Sequence, residues 1–170
     1  DDVEFIQHIY GGYTNFENPH EQQNFLRDTA ILCPTNLKAD SINEKIINSD
    51  ILGEEFAAAQ SKAFYASNTA VEDEFKDYYP QNMLHAYSES GLPPHTLVLK
   101  VGCPIIMMRN YGRNMGVVNG TRLIVTKIYD HCVKILTGLQ SSWGREVFIG
   151  KVAITPTDNS RLGATIRRVQ

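Results

Sequence analysis

The chain has 170 residues, 42% hydrophobic and 21% charged, enough for one ordinary domain, or one with a small insertion, around a real core. Its net charge of −3 hides an uneven balance: residues 1–95 hold 5 Lys/Arg against 16 Asp/Glu, whereas residues 96–170 hold 11 against 3. No apolar run approaches the ~20 residues of a membrane span, and the acidic start DDVEFIQHIY lacks the make-up of a signal peptide.

In chain order, Val3, Phe5, Ile6 and Ile9 recur at helical spacing, so residues 2–10 are expected to form a short helix that ends at Gly11-Gly12. A second helix is expected from His20 to Arg27, just after Pro19. Ala30-Ile31-Leu32-Cys33 then reads as a short strand stopped by Pro34, with Thr35 or Asn36 capping the next helix. Ala39, Ile42, Ile46 and Ile47 mark that helix as amphipathic from Leu37. Strand, turn and helix in this order make the βα unit of an open α/β sheet, where ligands gather at the carboxyl ends of strands.

Residues 53–90 are less regular. Ala63 to Ala66 suggests a strand, the run Glu72, Asp73, Glu74 and Asp77 reads as a solvated loop, and Leu84 with Tyr87 suggests a short helix. After Pro94 the pattern becomes β. Thr96–Val101, Pro104–Met108, Thr121–Ile128, Val133–Thr137 and Glu146–Val152 are short, aliphatic or branched runs bounded by turn residues, the pattern of a small barrel. Asn119-Gly120 is a strong tight-turn signal and Asp130-His131 a weaker one. Met107-Met108 reads as core filling, while Trp143 suits either packing or stacking on a base.

The charge asymmetry points to a polyanion, although a basic face that pairs with the acidic half would show the same pattern. Cys33, Cys103 and Cys132 lack paired spacing and read as reduced thiols of an intracellular protein; the five histidines are equally dispersed, which argues against zinc. No phosphate loop is present. The near match Gly144 to Lys151 has five residues between its glycines instead of four, Val152 where Ser or Thr belongs, and the pattern of a strand. No paired carboxylates suited to magnesium follow an apolar strand.

Ala30-Ile-Leu-Cys-Pro-Thr-Asn36, with Ile42-Asn43 after it, resembles the segment that opens the second motor domain of PIF-one-like DNA helicases, the petite-integration-frequency family with its Helitron relatives. Gly91-Leu-Pro-Pro-His95, Leu99 to Pro104, Met108-Arg-Asn110 and Asn119-Gly-Thr-Arg122 resemble the family's next blocks in the family's order, and Ile154 to Asp158 with Arg167-Arg168 resemble the return to the motor domain. The resemblance covers about residues 28–170. It implies an α/β fold, a partial RecA-like domain (2A) over 1–95 followed by a small SH3-like β-barrel (2B) over 96–155, with 156–170 leading back toward 2A.

The family's enzymes are ATP-driven translocases on DNA, with roles in repair, recombination and telomere maintenance. The resemblance therefore implies a helicase fragment that binds and guides single-stranded DNA or DNA junctions. Because the first motor domain is missing, no cofactor is expected on this chain; ATP and magnesium are expected for the complete helicase. The same resemblance implies that missing motor domain as a partner, no membrane, a monomer, and a nuclear or mitochondrial setting if the source is eukaryotic. By carry-over, Thr35 and Asn36 face the single strand, where a turn and a helix N-terminus suit a phosphate; helix capping is the plainer role. Arg109, Asn110, Arg113, Arg122 and Lys127 are candidate backbone contacts, and Asn119, Gly120 and Thr121 shape the turn. A stand-alone interaction module for a protein partner remains the alternative.

Overall fold

A computed structural model describes residues 1–71, 78–87, 92–137, 144–155 and 166–170. The acidic run 72–77, Gly91, Trp143 and the Pro156–Asp158 segment lie outside the described residues.

The first half is helical. α1 (Asp2–Tyr10) is capped by Asp1, whose carboxylate accepts from the Val3 amide at 3.0 Å, and it buries Ile6 and Tyr10 one turn apart. α2 (Pro19–Asp28) starts on Asn18, which accepts from the His20 amide at 2.9 Å, with Pro19 at the first helical position. α3 (Asn36–Ile47) is capped by Thr35 and buries Ile42. A short α4 (Glu54–Ala58) buries Phe56. Phe25 packs edge-on against Tyr10, with ring centroids 6.2 Å apart at 82°, and joins α1 to α2.

The extended segment 29–33 departs from the sequence reading. It precedes α3 as expected, but no described strand pairs with it, and Leu32 is 93% exposed. A strand needs a neighbour to take its backbone groups. The local pattern supplies the extension and cannot supply the neighbour, so a βα unit of a parallel sheet is not formed among the described residues.

The remaining elements are β1 (Ser61–Tyr65), β2 (Ser67–Ala70), α5 (Gln81–Ala86), β3 (Thr96–Lys100), β4 (Pro104–Ile106), β5 (Arg122–Ile128), β6 (Cys132–Thr137), β7 (Glu146–Gly150), β8 (Ala153–Ile154) and β9 (Ile166–Val169). All described pairings are antiparallel, in three sheets ordered β1-β3, β2-β9-β8 and β4-β5-β6-β7. The fold is therefore mixed helix and sheet. The four-stranded sheet is open among the described residues, with no pairing between β4 and β7, so it is not closed into a barrel.

Val125, Ile135 and Val147 are directly paired and buried on one face of that sheet. They share one core with Ile6, Leu26, Ile42, Leu52 and Phe56 from the helices. Gly102 lets the helices approach: its φ is +89°, and a Cβ there would lie 3.3 Å from the Phe56 ring. Buried Lys100 adds a polar tie. Its Nζ donates to the carbonyls of Ile47 at 3.1 Å and Ala57 at 2.9 Å, near the ends of α3 and α4, and lies 4.9 Å from the centre of the Phe56 ring. Apart from this core, Ala70, Leu84, Ile154 and Ile166 are buried around β2, α5, β8 and β9.

Candidate nucleic-acid interface

Thr35 and Asn36 stand at the exposed start of α3. Thr35 Oγ1 accepts from the Lys38 amide at 3.2 Å, so its hydroxyl oxygen is engaged as a cap. Asn36 is the first helical residue.

The loop between β4 and β5 holds most of the other candidates. Asn119 and Gly120 form the turn, closed by the Thr121 amide donating to Val118 O at 3.0 Å, and Gly120 takes a φ of +82°. Thr121 Oγ1 accepts from the Val118 amide at 3.2 Å, and Asn110 Oδ1 accepts from the Asn119 amide at 3.0 Å. Asn110 thus ties the two arms of the loop. Arg113 lies exposed in a 3-10 turn, Arg113–Met115, at its tip.

Arg109 and Arg122 are half-buried and turned onto the protein. Arg109 donates to Ala153 O at 3.3 Å and Thr155 O at 2.5 Å; Arg122 Nη1 donates to Arg27 O at 2.6 Å, in the last turn of α2. Each guanidinium stitches two elements together. Lys127 is exposed, on β5 beside the irregularity between Val125 and Lys127.

Lys127 also opens a feature that the sequence reading missed. In the ladder Lys127 pairs with Lys134 of β6, and Lys134 pairs with Phe148 of β7, so the three stand in one row. Phe148 is 54% exposed and Tyr129, at the end of β5, is 36% exposed; their ring centroids are 5.8 Å apart. Lys127 Nζ lies 5.3 Å from the Tyr129 ring centre, and Lys134 Nζ lies 5.9 Å from that of Phe148. Lys134 also pairs with Glu146, and Lys62 with Asp130 at 2.7 Å. Strand alternation was the available signal: Lys127, Lys134 and Phe148 are the polar or outward positions of three runs whose inward residues are aliphatic. Exposed rings with ammonium groups beside them can stack on bases and attract phosphates.

Gly144 to Lys151, the near match to a phosphate loop, runs through β7, whose backbone from Glu146 to Gly150 is in register with β6. Among the described residues no group of three or more His, Cys, Asp or Glu could hold a metal ion, and no helix is long and apolar enough to cross a membrane.

Residues 82–128 match the family profile of the 2B domain of DNA helicase Pif1. No curated protein matches the chain. Among solved structures, the chain is similar to one of two coordinating Pif1 helicases that unwind forked double-stranded DNA, with 19% identity, a TM-score of 0.45, and 96% of this chain and 34% of that one covered. It is similar to unliganded Pif1 from Bacteroides sp, with 17% identity, a TM-score of 0.47, and 81% and 36% covered. It is also similar to Bacteroides Pif1 bound to single-stranded DNA, with 17% identity, a TM-score of 0.44, and 99% and 37% covered. The chain spans about a third of the length of these solved chains. The helicase resemblance read from the sequence is therefore found over residues 82–128, a segment that contains β3, β4, β5 and all of α5 but its first residue.

Proposed function

We propose that this chain is part of a Pif1-like, ATP-dependent DNA helicase, in which it binds and guides single-stranded DNA and hydrolyses no ATP by itself. In this reading residues 1–95 belong to a RecA-like motor domain, residues 96–155 are an SH3-like 2B module, and 156–170 lead back to the motor. ATP and magnesium act on a motor domain outside this chain.

The observation that carries the reading is the row of Lys127, Lys134 and Phe148, with Tyr129 beside it, on the sheet that continues from the Pif1 2B match. Bases stack on the exposed rings while Lys127 and the exposed Arg113 meet the backbone, a mode indifferent to sequence. Thr35, Asn36 and Asn110 add polar contacts. Arg109 and Arg122 act on the strand chiefly by holding β8 and α2 against the loop and β5.

Fluorescence anisotropy of a labelled single-stranded oligonucleotide across a salt series tests this. The affinity should fall with salt, and Arg113→Ala or Lys127→Ala should each flatten the log–log slope by about 0.7. Phe148→Ala should weaken binding without changing the slope, by about 1–3 kcal/mol for one lost stack. An absence of binding at low salt would remove the proposal.

One observation favours a second reading, a protein-interaction module. Leu32 is 93% exposed on an extended segment that no described strand covers, a place where a partner strand could add. In that case a protein partner would bind while the oligonucleotide would not.

A further inference from the structure

Arg168, which the sequence marked only as part of the chain's return, lies at the centre of the second buried cluster. It is 1% exposed. Its Nε donates to Asn68 Oδ1 at 2.6 Å, and its terminal nitrogens donate to the carbonyls of Pro93, of Leu84 at 3.3 Å and of Tyr87 at 2.9 Å. One side chain of β9 thereby holds β2, α5 and the segment leading into β3.

The protonation of the neighbouring imidazole follows from these bonds. A guanidinium only donates, so the Asn68 atom facing Arg168 must be the amide oxygen. The Asn68 amide nitrogen then faces His95 Nδ1, at 3.0 Å. That nitrogen carries hydrogens, so His95 Nδ1 must accept, and the imidazole must be neutral with its proton on Nε2. We infer that His95 is an acid-sensitive latch: its neutral ring holds Asn68 onto Arg168, and its protonation releases α5 and residues 92–95 from the β2-β9 pair.

The surroundings make the charged ring costly. From α5, the His85 ring is stacked on that of His95, with centroids 3.9 Å apart and planes 16° from parallel. From β9, the Arg168 cation lies across Asn68. From β1, Tyr65 contributes an aromatic edge at 6.3 Å. The His95 backbone is held too, its carbonyl accepting from the Ala66 amide at 2.8 Å and from Gln170 Nε2 at 3.5 Å. Among the described residues these partners include no carboxylate. A proton on Nδ1 would set two donors against each other and place a second cation near Arg168. Burial first, then His85 and Arg168, lower the His95 pKa from its ordinary 6.5.

The sign follows from linkage. With the folded-state pKa depressed, the latch contributes fully above pH 6.5 and is lost as the pH falls through the folded value. Three readouts on the full chain test this. Long-range proton–nitrogen spectra should show His95 as the Nε2–H tautomer with a midpoint below 6.5. Hydrogen exchange, corrected for its intrinsic pH dependence, should show protection lost on acidification at the Ala66 amide, bonded to His95 O, and in α5 before the amides of β5 and β6. The urea midpoint should fall on acidification below pH 6.5, and His95→Asn, which offers a non-titrating acceptor, should remove most of that fall. An Nδ1–H tautomer, a midpoint at or above 6.5, or an undiminished pH dependence in His95→Asn overturns the latch. If the variant fails to fold, the tautomer and midpoint of the wild-type ring still decide.

Discussion

Lys100→Met separates two opposed electrostatic effects. Lys100 belongs to the basic second half of the sequence, yet it is 6% exposed and its ammonium serves two helix ends. Methionine keeps the apolar stem, so little packing is lost. The substitution takes this donor from the carbonyls of half-buried Ile47 and exposed Ala57, at about 0.5–1.5 kcal/mol each. It also removes a cation that complements the negative ends of two helices, about 0.3–1 kcal/mol each. Against these stands the relief of a desolvated charge, which in other buried sites makes an apolar replacement neutral or favourable. Here the carbonyls stay behind, so the loss should win by about 2–3 kcal/mol. That corresponds to a fall of about 5–10 °C in Tm, or about 1 M in the urea midpoint. Far-UV circular dichroism during urea titration measures it. A Lys100→Met protein as stable as the wild type would refute the reasoning, since desolvation relief would then equal or exceed the bonds.

Three further outcomes are expected. Asp2 is held at about 2, down from 3.8, by hydrogen bonds to Lys38 and Lys45, so the α1–α3 tie is complete above pH 3.8 and fades as the pH falls toward 2; carboxyl NMR should give that midpoint, and Asp2→Asn should remove the associated acid dependence. Cys103 is buried, and burial raises its thiol pKa, so alkylation of the folded protein should label the half-buried Cys33 and Cys132 well before Cys103; equal rates at all three would contradict the packing. Arg122→Ala should lower stability by about 1–2 kcal/mol by removing its bond to the Arg27 carbonyl, while altering the salt slope of DNA binding less than Arg113→Ala does; chemical denaturation and anisotropy read the two effects separately.

What the sequence made legible was local. α1 and α3 form where their spacing predicted and bury Ile6 and Ile42, although Val3 and Phe5 of the same period are exposed, and β5, β6 and β7 follow their aliphatic runs. These elements are encoded in neighbouring residues: a cap, a period, a turn. Ala30–Cys33 shows the limit, because its composition specifies extension while strand pairing depends on a second segment. The cations show the same limit at the candidate site. Lys100, Arg109 and Arg122 look like Arg113 in sequence, and only the folded chain turns the first three onto carbonyls. Conversely, Phe148 and Tyr129 gained their meaning from register, which placed Lys127, Lys134 and Phe148 in one row. The His95, Asn68 and Arg168 cluster joins residues up to 100 apart and carries no local signature.

The pairing of β2 with β9 also dictates an order of events as the chain folds. The β5-β6 and β6-β7 partners close short loops, whereas Asn68 and Arg168 meet across 100 residues. Closing the longer loop costs about 3 kcal/mol more in chain entropy than closing a roughly four-residue turn. The meander should therefore consolidate first and the β2-β9-β8 sheet last, on a timescale set by its distant contacts. Pulse-labelling hydrogen exchange would show Ile135 protected before Arg168. Until that late step Arg168 has none of its acceptors in place, and a nascent chain halted before β9 would carry the meander folded and α5 without its anchor.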